Sequence, residues 1–220
     1  GFSNTTTLLG NKNLAPEQIV SYEAGYQGWY FAHRVRFRAD VFYNRVSNLI
    51  APSVVDPVTS LYLNGGQADI YGGETGIEVL AAAWLRGFAN LAYQEVVDQK
   101  LIDPRVQRGA PRIKVNAGLQ GTWSNGLNAE AAVHHVDSAT YPVDQNSQTF
   151  AGLGLISPSA VPNSRVGHYT LLNLLCGYRF WNDRAEVAVS VFNALNERHP
   201  QHPLADVLGS RVMGWLTLKL

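Results

Sequence analysis

The chain has 220 residues with 17 basic against 17 acidic side chains, a balance that gives no reason to expect a nucleic-acid partner. Its single cysteine, Cys176, excludes an internal disulfide and a multi-cysteine zinc site. No stretch approaches the roughly 20 apolar residues of a membrane helix, and the longest run, "VLAAAWL" at 79–85, is far shorter.

Period-two alternation begins in "QIVSYEAGYQGWY". Ser21, Glu23, Gly25 and Gln27 fall on one face and Val20, Tyr22, Ala24 and Tyr26 on the other, the signature of a strand over 18–30. The next segment, 33–50, sets Arg34, Arg36, Arg38 and Asp40 against Val35, Phe37, Ala39, Val41 and Tyr43. A long strand over 59–83 carries Glu74 and Glu78 opposite Thr75, Ile77 and Val79, with Gly65-Gly66 marking a bulge. Further strands are read over 85–97, 112–123, 127–137, 167–180, 184–193 and 210–220. In 112–123, Arg112 and Lys114 oppose Ile113 and Val115. The pattern predicts an all-β chain, an antiparallel meander of about nine strands in one domain.

The connections alternate in length. Those at 31–32, near 84, 124–126 and 181–183 are short; those at 51–58, 98–111, 138–166 and 194–209 are long. A meander therefore has short turns at one end and long loops at the other, as transmembrane outer-membrane barrels do. Trp29, Trp84, Trp123 and Trp181 fall at or beside the short turns, where an interfacial aromatic girdle is expected. On this reading Val35, Phe37, Val41, Ile77, Val79, Ile113, Val115, Val187 and Val189 face lipid, with Val115 near the midplane. The charged face, with Arg36, Arg38, Glu74, Glu78, Arg112 and Lys114, lines a polar interior. "GFSNTTTLLG" lacks the basic start and apolar core of a signal peptide, so an exported protein would have this form after processing or truncation.

Several segments resemble TonB-dependent outer-membrane receptors. They are "GNKNLAPEQIVSYEAGYQG" at 10–28, "FRADVFYNRVSNLI" at 37–50, "NGGQADIYGGETGIEV" at 64–79 and "GYRFWNDRAEVAVSVFNALNERH" at 177–199. The resemblance implies the C-terminal portion of a Gram-negative outer-membrane β-barrel, without the family's plug domain. It implies active import of a scarce nutrient, most often a ferric siderophore. The implied partners are outer-membrane lipid, a plug domain, upstream barrel strands, the TonB energy-transducing complex through the N-terminal part, and a small-molecule or metal-chelate ligand. No cofactor and no enzymatic activity are expected.

The loops carry the candidate ligand contacts. Tyr141, Gln145, Asn146 and Arg165 surround the apolar "FAGLGLI" in the 138–166 loop, which is too long to be a plain connector. His199 and His202 lie in "RHPQHP", where neutral imidazoles suit a metal chelate and where prolines also stiffen a polar loop. His134 and His135 in "VHHVDS" point to opposite faces of a strand and cannot converge on one reaction. A small outer-membrane barrel acting as passive pore or membrane enzyme is the competing reading. A soluble ligand-binding barrel would need a dry interior.

Overall fold

The computed structural model describes residues 7–56, 59–100, 109–141 and 145–219. The strands are β1 (Thr7–Leu9), β2 (Gln18–Tyr30), β3 (Val35–Asp56), β4 (Thr59–Ala82), β5 (Leu85–Lys100), β6 (Ile113–Thr122), β7 (Leu127–Val136), β8 (Ala139–Thr140), β9 (Arg165–Val166), β10 (Tyr169–Phe180), β11 (Ala185–Phe192) and β12 (Arg211–Leu218). One helix, α1, spans Gln145–Gly152. The main sheet runs β2-β3-β4-β5-β6-β7-β10-β11-β12, an antiparallel meander, and β1 joins β4 in parallel. The predicted strands are all present. The expected loop at 51–58 is instead strand: β3 runs on to Asp56 and pairs Ser53 with Leu61. The bulge expected at Gly65-Gly66 is there, since Leu49 faces Gly66 and Ile50 faces Asn64.

The register fixes the tilt of the strands. A directly paired row runs Val35, Val79, Gly87, Leu119, Ala131, Leu174 and Val191. Val35 is the first residue after its turn, whereas Val191 lies six residues beyond Ala185. One residue of slip per strand, at about 3.3 Å rise and 4.8 Å spacing, gives a tilt of about 35°, the value of transmembrane barrels.

The sheet has no conventional core. Among the described residues no large side chain is fully buried, while Val41, Leu119, Val133, Val187, Val189 and Leu216 are exposed. One face is apolar along every long strand and the other polar, as a barrel wall with lipid outside requires. Tyr22 pairs with Tyr43 and Tyr43 with Tyr71 on the apolar face, with the rings of the first pair 6.4 Å apart. Tyr22, Tyr43 and Tyr93 each lie eight residues from the strand end at a short turn, at Tyr30, Val35 and Leu85. Eight residues climb about 22 Å at this tilt, close to the roughly 25 Å apolar band of such barrels. These tyrosines stand at the height where a barrel of this tilt would carry a loop-side girdle, whereas period-two reading alone placed them simply among apolar residues.

The turn-side girdle needs one correction. Trp84 and Trp123 stack at 5.5 Å, and Trp123 covers Gly121 on the apolar face. Trp181 is exposed at the tip of its turn. Trp29, however, pairs with Arg36 on the charged face, and the Arg36 guanidinium lies 5.5 Å from its ring centre. Pleat parity decides this: Trp29 is an odd position on β2, like Glu23 and Gln27. Phe31, at the tip of that turn, holds the place equivalent to Trp181, and both have left-handed backbones. Brominated lipid should therefore quench Trp84 and Trp123 strongly in single-tryptophan variants and leave Trp29 nearly unquenched. Equal quenching of all three would reject the face assignment.

Gly126 is a second checkable point. It closes the β6–β7 turn at φ +92°, and a Cβ there would lie 2.1 Å from the Arg179 carbonyl oxygen. Gly126→Ala should lower stability by more than about 1 kcal/mol in urea unfolding, through both strain and clash. Gly10→Ala, which meets open space, should have little effect.

Candidate functional site

The charged face is held by short cross-strand contacts. Arg36 pairs with Glu78 at 3.3 Å and donates to Gln27 at 3.0 Å. Arg38 reaches across Gly76 and donates to the Asn90 side-chain oxygen Oδ1 at 3.3 Å. Asn128 donates to Glu186 at 3.4 Å, and His134 bonds Asn116. Glu74 opposes Asp40 directly, and neither forms an ion pair among the described residues. Lys114 sits between Ala92 and Val136 on the same wall. Arg112 departs from expectation. It precedes β6, free of the pleat, and bonds Glu95 at 2.7 Å on the row of Tyr71 at the loop end. His135 turns to the opposite face from His134 and bonds Thr170 at 2.8 Å.

The loop end gathers the candidate ligand residues. β8 and β9 pair Thr140 with Arg165 and pinch the base of the 138–166 loop. Above the pinch lie α1 and a short 3-10 turn at Pro158–Ala160, capped by Ser157. The Tyr141 amide donates to the Ser164 carbonyl at 2.8 Å. Its ring lies over Gly109, meets His202 edge-on at 4.9 Å, and its hydroxyl donates to the Gln201 carbonyl at 3.3 Å. Residues at the end of the 98–111 loop, in the 138–166 loop and in the 194–209 loop therefore converge on one side chain. The centre of the first, residues 101–108, and the side chains of Gln145 and Asn146 lie outside the described residues. Arg165 is exposed and contributes its backbone to the pinch.

His199 is fixed from its own loop. The Asn193 side chain donates to the Glu197 carbonyl at 2.8 Å and accepts from the Glu197 amide at 2.9 Å. The left-handed backbone of Asn193 and Asn196 lets the chain turn there, since asparagine tolerates that conformation. His199 then bridges to Leu208 and stacks on Tyr169, with ring centres 4.0 Å apart. Tyr169, a buried residue on the charged face, is missed by sequence reasoning because one aromatic at a strand start carries no pattern.

Comparison with known proteins bears on this wall and its rim. The family described as "TonB dependent receptor-like, beta-barrel" matches residues 1–194. The chain belongs to the TonB-dependent receptor family. The FrpB iron transporter of Neisseria meningitidis superposes with a TM-score of 0.72 at 14% identity, covering 96% of this chain and 32% of that one. The pyoverdine receptor FpvA of Pseudomonas aeruginosa, bound to pyoverdine, gives 0.70 at 16% identity over 94% of this chain and 30% of that one. The ferric yersiniabactin uptake receptor FyuA of Yersinia pestis gives 0.64 at 20% identity over 91% and 29%. The chain thus spans about a third of the length of these structures. No curated protein sequence matches it.

Proposed function

We propose that the chain is the C-terminal barrel portion of an outer-membrane receptor that imports a scarce nutrient, a metal chelate of the ferric-siderophore kind, with energy from the TonB complex. The observation that carries this reading is a barrel-tilted wall open at both sides. Among the described residues β2 pairs with β3 alone and β12 with β11 alone. Unpaired strand edges are not tolerated in hydrocarbon, so further strands of the same receptor close the wall.

A plug domain accounts for the charge on the inner wall. Asp40 and Glu74 stand directly opposite with like charge, an arrangement that costs stability unless a cation is supplied. Basic side chains of a plug would supply it as a fixed partner. Ligand contacts fall to Tyr141, Tyr169, His199 and His202 at the rim, and the membrane is the Gram-negative outer membrane.

The test is uptake. A strain lacking the complete receptor gene should lose import of one labelled ferric chelate from a panel. The complete gene should restore it, and a TonB-deficient background should abolish it again. Uptake that persists without TonB would favour a passive pore.

A further inference from the structure

His199 is 5% exposed, and its two ring nitrogens have different surroundings. Nδ1 lies 2.9 Å from the Glu197 carbonyl oxygen, which can only accept, so Nδ1 carries the proton. Nε2 then holds a lone pair, and it is buried with no hydrogen-bond partner among the described residues. An unsatisfied buried acceptor costs about 1–3 kcal/mol, a cost that a bound ligand removes. A ring N–H donated to a backbone carbonyl is also the arrangement that orients metal-binding histidines.

We propose that His199 Nε2 is a ligand for the metal of an incoming chelate that leaves one coordination position open. The inference rests on the transport reading and narrows its substrate class. Nε2 donates its lone pair to the metal and displaces one coordinated water, with no change of oxidation state. His202 supplies the complementary group. Its Nδ1 accepts the Leu204 amide at 3.2 Å, so in the neutral ring Nε2 carries a proton to offer a chelator oxygen. Tyr141 and Tyr169 wall the site with their rings. Among the described residues no three His, Cys, Asp or Glu side chains form a metal-binding group, so the site suits a metal already held by a chelator. Imidazole is a ligand of nickel, copper, zinc and iron, and a fully enclosed complex has no position to offer it.

The test uses the complete receptor, purified in detergent, and two nickel chelates. Nickel nitrilotriacetate has open positions and nickel ethylenediaminetetraacetate is enclosed. The parent should bind the first at least about tenfold more tightly than the second, and His199→Ala should lose at least about tenfold in affinity for the first. His135→Ala, on the lipid side of the wall, should retain the parent's affinity. The comparison of two chelates on the parent needs no variant to fold. Equal affinity for the two chelates, or equal affinity of parent and His199→Ala for nickel nitrilotriacetate, overturns the inference. If ferric-chelate uptake persists as TonB-dependent in that case, the transport reading stands without it. Binding that depends on His199 in a receptor with no uptake supports the site and overturns the transport reading alone.

Discussion

Val189→Arg should destabilise the folded, lipid-inserted receptor by about 2–4 kcal/mol, the cost of an arginine at the bilayer midplane on the lipid face of a barrel. Val189 pairs with Cys176 and Gly214 on the apolar face and is exposed. It lies four residues from Ala185 at the turn, about 11 Å up the membrane normal at the strand tilt, halfway through the apolar band. Val115→Arg should cost only about 0–1 kcal/mol, because near the interface the guanidinium reaches water. Val115 lies seven residues from Thr122 and pairs with His135, close to the loop-side girdle. Alternation had suggested the midplane for Val115. Alternation places it on the apolar face and carries no depth, which depends on distance from the turn. Urea unfolding in lipid vesicles measures both variants. Equal costs at the two positions would sink the depth assignment, and no cost at either would sink the lipid-facing one.

Excision of residues 142–162 in the complete receptor, with Tyr141 and the 163–164 segment joined by a short glycine-serine link, should abolish uptake and leave barrel assembly intact. The backbone bond from Tyr141 to Ser164 and the β8–β9 pairing already bring the two ends together, so the closure adds little strain. Tyr141 stays in place and keeps its contact with His202, while the segment between the pinched ends is lost. Uptake of labelled ferric chelate, set against heat-modifiable migration as the measure of assembly, separates the two effects. Unchanged uptake would show that the loop is a cover with no part in transport.

Much of the architecture was legible in the chain itself. The two-residue period of β2, β3, β6 and β11 is written in side-chain polarity, because a strand sends successive residues to opposite faces. Short turns against long loops gave the polarity of the meander, and four quoted segments pointed to the family later matched over residues 1–194. Pairing decided the rest. Trp29 belongs beside Arg36 by register, although its position next to a turn matched that of Trp84. The tyrosine girdle appears only when Tyr22, Tyr43 and Tyr71 are aligned across strands distant in sequence.

The rim shows the limit most clearly. Tyr141, His199 and His202 were picked out as polar and aromatic residues in long loops, but their meeting with Tyr169 and Gly109 depends on contacts between segments 30 or more residues apart. Local sequence determines faces, turns and caps, because those follow from neighbours along the chain. Depth in the membrane, the partner of each charge and the unpaired nitrogen of His199 are set by which strands and loops lie side by side. That is a property of the folded wall alone.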